Sequence, residues 1–313
     1  MRWRDAMAGA LYGPDGFFVR EAPADHFRTS AHTGAPWFAA LAALVCRVDA
    51  ALAAPARLDL VDVGAGRGEL LRGLCAALPA PVRRRLRPVA VERAPRPPDL
   101  PAGIGWRPDI PTGLVGLLVA VEWLDNVPLD VARAGRYTVV DAAGRQSPGP
   151  PLSTADRAWC ARWWPGGPLV EIGRPRDAAW AGAVAAVSRG LALAVDYGHT
   201  AADRPPDGTL TGYRRGRQVP PVPDGSCDLT AHVALDAAAS AAGGPFRIVD
   251  QRSALAALGV RGDRPPLHLA TADPRAYLHR LAAASTAAEL RDPAGLGGQR
   301  WLLHPRGVPD PLS

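Results

Sequence analysis

Three glycines at alternate positions, Gly64, Gly66 and Gly68, follow the run Leu58-Asp-Leu-Val-Asp-Val63, and an acid, Glu69, comes immediately after them. A glycine turn at the end of a strand lets backbone approach a ligand where any side chain would block it. Dinucleotide sites favour G-x-G-x-x-G and seat a pyrophosphate on the next helix N-terminus. Here the spacing is G-x-G-x-G, and Glu69 would meet that pyrophosphate with like charge. S-adenosylmethionine fits the pattern better, because its sulfonium and the ammonium of its amino acid tail tolerate nearby acids. The candidate cofactor residues are Asp62, Gly64, Ala65, Gly66 and Gly68, with Asp62 taking the ammonium through water or backbone. Glu92, at the end of the next apolar run, is placed to accept hydrogen bonds from both ribose hydroxyls, as an acid does in Rossmann sites. Asp109, after Trp106-Arg-Pro, is either a partner for the adenine amino group or an exposed loop residue.

A second set of residues suits the acceptor side of a group transfer. Glu122 and Asp125 fall just past the apolar run Val115–Val121. Open α/β sheets place reacting groups at such strand ends, and an i, i+3 spacing sets two carboxylates on one side of a turn. The alternative is that Asp125 caps a following helix and Glu122 pairs structurally. His199 and His232 border the acceptor pocket or pack quietly, with His199 the better candidate for catalysis because it ends a strand. Tyr197 and Tyr213 wall the methyl channel or simply pack. Asp228 with Thr230 reads as a helix N-cap. Thr29 and Ser30 close over the cofactor as donors, or cap a helix.

These residues need a scaffold, and the hydropathy pattern supplies an α/β one. A helix is expected over Ala35–Ala54, ended by Pro55, then a strand over Arg57–Val63 and a helix over Glu69–Leu78. Further strands are expected at Pro88–Glu92, Val115–Val121, Leu191–Tyr197, Phe246–Asp250 and Gln299–His304. Helices are expected at Ala178–Arg189, Ala231–Ala242, Arg252–Leu258 and Pro274–Leu290. Such alternation implies a Rossmann-like, mostly parallel sheet with helices on both faces. A β-hairpin arm (Val131–Val140, then Asp141–Gly144) and a Trp-bearing helix (Thr154–Trp164) form an insertion over 129–190 that serves as a dimer surface or a pocket lid. The stretch Thr200–Asp228, rich in Pro and Gly, reads as one long functional loop. The domain reading is an N-terminal segment, 1–54, covering the cofactor site, and a core over 55–313.

Composition narrows the partners. With 48% hydrophobic and 21% charged residues over 313 positions, a sizeable core can be buried. All 36 basic residues are arginine, the net charge is +6, and the basic residues are scattered, so a nucleic-acid footprint is not indicated. The 4 cysteines, Cys46, Cys75, Cys160 and Cys227, form no C-x-x-C pair, which argues against a metal knuckle and fits a reducing cytoplasm. No run reaches the roughly 18 apolar residues of a membrane span.

Several segments resemble the MidA-type methyltransferases, a family that includes a mitochondrial complex I assembly factor. Tyr12-Gly-Pro-Asp-Gly-Phe-Phe18 and Asp25-His-Phe-Arg-Thr-Ser30 are similar to its Y-G-P-x-G-F-Y and D-F-x-T-S segments. Val121-Glu-Trp-Leu-Asp-Asn-Val-Pro128 is similar to its N-E-x-x-D-A-x-P block. Asp196-Tyr-Gly-His199, Gly208-Thr-Leu-Thr-Gly-Tyr-Arg-Arg215 and Asp228-Leu-Thr-Ala-His-Val233 match D-Y-G-H, G-T-L-R-G-Y and D-[IL]-T-A-H-V, and Gln251 with Leu258-Gly-Val-Arg261 matches a late block in part. Val121 and Asn126 depart from the family's Asn and Ala, and the stretch from Arg20 to His26 is compressed. The resemblance implies S-adenosylmethionine-dependent methylation of an arginine on a protein partner, a respiratory complex I subunit. The other classes in play are a small-molecule methyltransferase, a non-catalytic assembly module and an NAD-dependent oxidoreductase, the last opposed by the glycine spacing.

Overall fold

Leu58–Val63 is buried at every position along its length, as expected of a strand in the middle of a sheet covered on both faces. In the computed structural model, which describes residues 1–20 and 34–313, it is an inner strand of a seven-stranded sheet. We number these strands in chain order: β1 (Leu58–Val63), β2 (Leu86–Val91), β3 (Gly105–Arg107), β4 (Leu114–Val121), β5 (Val187–Asp196), β6 (Arg247–Asp250) and β7 (Arg300–Arg306). Their spatial order is β6-β7-β5-β4-β1-β2-β3. The pairings β1–β2, β1–β4, β2–β3 and β4–β5 are parallel, and β6–β7 is antiparallel. Parallel strands run their carboxyl ends to one edge, so the loops leaving β1 and β2 emerge side by side.

The chain divides into two compact units. One holds this sheet and the residues that pack on it: 34–121, 186–195 and 247–313. Its core gathers Trp37, Leu41, Leu44 and Val48 from the helix Ala35–Ala51 with Leu60, Leu71, Leu117, Leu193 and Trp301. Trp37 and Trp301 meet edge to face at 5.8 Å. The indole of Trp301 donates to Gln251 Oε1 at 3.1 Å, and the Gln251 amide donates to the carbonyls of Leu290 and Leu296. The buried indole of Trp301 and the amide of Gln251 are thus paired, as burial demands.

The expected helix over Ala178–Arg189 is corrected at both ends: it runs from Arg174 to Ala186, and Val187 to Gly190 already belong to β5. The cause is close packing of backbone. A Cβ on Gly190 (φ +126°) would lie 1.9 Å from the carbonyl oxygen of Gly116, and one on Gly116 would lie 2.0 Å from that of Asp59. We therefore expect Gly190→Ala to cost about 3 kcal/mol or more in a denaturant titration; unchanged stability would show that the two strands do not approach this closely.

The second unit collects 1–20, 122–185 and 196–246. It carries a four-stranded antiparallel sheet in the order Gln146–Pro151, Arg136–Val140, Asp130–Arg133, Val170–Ile172. The hairpin turn is Ala134-Gly135, both at positive φ, which breaks the expected Val131–Val140 arm into two strands. The Trp-bearing helix spans Thr154–Trp163, with the Ser153 hydroxyl capping Asp156 N–H at 3.1 Å. The expected long loop Thr200–Asp228 is also corrected, since it contains the strands Thr211–Arg214 and Arg217–Val219. Asp228–Thr230 is a third strand paired antiparallel to Thr211–Tyr213, so Asp228 is not a helix cap. The helix that follows begins at Leu235 rather than at Ala231, because Val233–Ala234 pairs with Gly198–His199. No helix among the described residues is long and apolar enough to cross a membrane.

Candidate active site

In the sheet-bearing unit, Gly64, Gly66 and Gly68 all take positive φ, at 73°, 56° and 83°. That conformation is the one glycine adopts without steric cost. The N–H groups of Gly64 and Ala65 donate to the Val91 carbonyl at 3.0 and 3.3 Å, which pins the turn to the end of β2. A Cβ on Gly66 would meet nothing closer than Glu69 Oε2 at 3.5 Å, so the space above this turn is open. Glu92 is built into the same corner: Oε2 accepts from Gly66 N–H at 3.1 Å, and Oε1 from Arg93 and Ala94 N–H at 2.6 and 3.1 Å. A carboxylate has about four acceptor positions. Glu92 is therefore aimed by backbone donors, and incoming hydroxyls would share or displace the Gly66 contact.

Asp62, near the end of β1, is 3% exposed. Its Oδ2 has no hydrogen-bond partner among the described residues. Burial first, then the charges of Glu69 and Glu92, push its carboxyl up to about 8. Three acids crowd this corner, one with an orphaned oxygen, and that chemistry calls for a cationic ligand group. The sulfonium and ammonium of S-adenosylmethionine fit it. Asp109 lies exposed just beyond β3. Thr29 and Ser30 lie outside the described residues.

The other unit brings Glu122 and Asp125 onto one short segment, Glu122 just before and Asp125 within a 3-10 turn over Leu124–Asn126. Glu122 holds φ 51°, an uncommon conformation for a residue with a side chain and one that tends to mark functional sites. Asp196 Oδ2 accepts from the N–H groups of Leu124 and Asp125 at 2.9 and 3.3 Å. Asp125 Oδ2 accepts from the Thr230 hydroxyl at 2.8 Å. Asn126 Nδ2 donates to Asp228 Oδ1 at 2.7 Å and to the Leu229 carbonyl at 3.2 Å. So Asp125 does not cap a helix; it sits in a buried carboxylate cluster with Asp196 and Asp228.

The cluster is electrostatically tense. Burial raises all three carboxyls above their usual range; Asp196 and Asp228 also feel the charges of Asp125 and Glu122, while Thr230 and Arg176 partly relieve Asp125. Asp125 Oδ1 and Asp196 Oδ1 are buried without a hydrogen-bond partner among the described residues. The guanidinium of Arg176, 1% exposed, gives all its hydrogen bonds in this cluster to carbonyls: Asp125 at 2.5 Å, Ala231 at 2.6 Å, Val127 at 3.0 Å and His232 at 3.1 Å. Sequence reasoning missed Arg176, Asp196 and the Asn126–Asp228 pair. Asp196 had a signal, an acid at a strand end, whereas Arg176 had none.

His199 is placed elsewhere in this unit. Its Nδ1 takes Arg204 Nη1 at 2.8 Å, its ring meets Trp164 edge to face at 5.1 Å, and Arg204 in turn grips Asp236 at 3.0 and 2.9 Å. Burial, then the charge of Arg204, depress the imidazole to about 3. The ring thus stays neutral at ordinary pH, so it would act there as a neutral imidazole. His232 stacks on Tyr197 at 5.8 Å. Burial raises the phenols of Tyr197 and Tyr213, so both remain protonated.

Comparison with known proteins gives the family. Residues 40–247 match the model of a family described as "Putative S-adenosyl-L-methionine-dependent methyltransferase". A structure from Burkholderia thailandensis bound to S-adenosyl-homocysteine is 24% identical, with TM-score 0.81, covering 99% of this chain and 89% of that one. A native structure of an uncharacterized protein of the same superfamily, also from Burkholderia thailandensis, is 25% identical with TM-score 0.78, over 99% and 88% of the chains. No curated protein matches the sequence. With two thirds of its length matched by the family model and its fold shared almost end to end, the chain belongs to the MidA-type family of S-adenosylmethionine-dependent methyltransferases.

Proposed function

We propose that this enzyme methylates an arginine side chain of a protein, with Glu122 and Asp125 receiving the guanidinium. The observation that carries the reading is the buried acidic cluster, in which Asp125 and Asp196 each keep an oxygen without a hydrogen-bond partner among the described residues. A guanidinium stays cationic at any working pH and presents a planar fork of donors, the complement of such acceptors. The resemblance points to a respiratory complex I subunit as the carrier, and the free cysteines support a cytoplasmic setting.

On the cofactor side, Asp62, Gly64, Ala65, Gly66, Gly68 and Glu92 hold S-adenosylmethionine, with Asp109 at the adenine. The bound cofactor supplies a methyl carbon activated by its sulfonium. With the methyl group delivered from that sulfonium, the proton lost from the acceptor nitrogen would pass to a carboxylate of this chain. Glu122 and Asp125 orient the fork and take that proton. A raised carboxyl such as that of Asp125 is the stronger base once ionised.

Labelled-methyl transfer into lysate of a strain lacking the protein, followed by mass spectrometry, tests the acceptor. Label on arginine is the expected result; label on a small molecule or another side chain would refute the arginine assignment. The cofactor assignment has its own pH signature. With its carboxyl at about 8, Asp62 is protonated in the free protein at neutral pH, and stability falls as pH rises from about 4 towards about 8. A bound ammonium favours the ionised form. Calorimetry in buffers of different ionisation enthalpy should therefore show release of roughly one proton per cofactor at pH 6.5, vanishing above about pH 9. No release at either pH would separate Asp62 from the cofactor.

A further inference from the structure

Arg176 is an arginine that burial and geometry single out and that the cofactor chemistry does not use. It is 1% exposed, and its Nε and both terminal nitrogens reach two stretches of chain about 50 residues away: the carbonyls of Asp125 and Val127 on one, and those of Ala231 and His232 on the other. The first stretch carries the two candidate acceptor carboxylates. The second is continuous with Thr230, whose hydroxyl holds Asp125 Oδ2, and Ala231 N–H also donates to the Asp125 carbonyl at 3.2 Å. The charged groups facing the guanidinium are Asp125, Glu171, Asp196 and Tyr12. Those facing the cluster's carboxylates besides Arg176 are Glu122, Asp125, Asp196 and Asp228 with its Asn126 partner, and the phenols of Tyr197 and Tyr213. Glu171 is occupied by Thr209 and Leu210.

We propose that Arg176 is a positioning residue for methyl acceptance: its guanidinium clamps the Asp125–Val127 turn to the Ala231–His232 segment and supplies the buried positive charge beside Asp125 and Asp196. The proposal rests on the reading of Asp125 as an acceptor-site residue. A planar fork is required for the first task and a cation for the second, so the two are separable. Lysine keeps the charge without the fork, and methionine keeps the volume without either.

Thermal unfolding of the full chain between pH 5.5 and 8.5 tests the electrostatic half without any acceptor. Arg176→Met removes the counter-charge, so ionising Asp125 and Asp196 becomes harder and the loss in Tm should grow with pH, by about 5 °C or more across that range. Arg176→Lys should lose Tm by the same amount at every pH. Adding Asp125→Asn to Arg176→Met should recover part of the loss at pH 8.5, which also serves if the single methionine variant fails to fold. Labelled-methyl transfer by Arg176→Lys should fall about ten-fold or more in kcat with S-adenosylmethionine affinity unchanged. A pH-independent loss in Arg176→Met, no recovery in the double variant, or an unaltered kcat in Arg176→Lys would overturn the proposal. Failure of the arginine reading shows separately, as wild-type protein that labels no arginine, and the Tm pattern decides Arg176 in either case.

Discussion

Gly66→Val should weaken S-adenosylmethionine binding by at least about 100-fold, close to 3 kcal/mol, while leaving a folded protein. Two effects act together at this position. Its φ of 56° is a genuine outlier for a β-branched residue, costing about 1 to 2 kcal/mol. The new side chain would also fill space that is open now, with Glu69 Oε2 at 3.5 Å as its nearest neighbour. A displaced turn would carry the Gly66 N–H away from Glu92 and loosen the acid meant for the ribose. Gly103→Val is the matched control, because a Cβ at Gly103 meets nothing within 4 Å and its φ is not positive. Calorimetry should find the control near wild type. If Gly66→Val binds as well as Gly103→Val, the glycine turn is not the cofactor site.

Glu122→Gln should reduce methyl transfer by about 100-fold to 10,000-fold, the usual range for losing a positioned proton acceptor, with cofactor affinity within about twofold. Glutamine preserves length and hydrogen-bonding reach but cannot take a proton. It also lowers the negative charge beside Asp196, Tyr197 and Asp228, all of which feel Glu122. Those groups should then ionise more readily, so any residual activity should extend to lower pH. The rate is read as label transferred into lysate protein. An unaltered rate would exclude Glu122 from the acceptor site.

Much of the scaffold could be read from residue order because local pattern and tertiary role coincide there. The run ending at Val63 is mostly apolar because it is a buried inner strand, and its glycines follow because the chain must turn with backbone exposed. Pro274–Leu290 was expected as a helix with the ends it has, since Asp273 caps it and Pro274 suits its first turn. The misreadings fall where a distant partner overrides local preference. Val187 to Gly190 look helical until β4 offers backbone to pair with. Asp228-Leu-Thr230 carries cap residues, but Thr211–Tyr213 recruits it as a strand. Within the long polar stretch, Arg215-Gly216 at positive φ is a hairpin turn whose flanking strands are too short to show periodicity.

The acceptor cluster was half visible for a related reason. Glu122 and Asp125 are acids at a strand end, a position with known chemical meaning. Arg176 lies in Arg174-Pro-Arg-Asp177, a polar stretch that reads as a surface helix start. Nothing local announces that its guanidinium is buried among carbonyls of residues far along the chain. The strand-end position of His199 was legible, but its contacts with Arg204 and Trp164, which come from other segments, were not.

A crystal structure of the enzyme with S-adenosylhomocysteine tests the central claim most directly. The account predicts the nucleoside over Gly64–Gly68, its ribose hydroxyls within hydrogen-bond distance of Glu92 and its ammonium on the side of Asp62. Ligand density away from that turn, or a ribose that leaves Glu92 bonded only to backbone N–H groups, would contradict it.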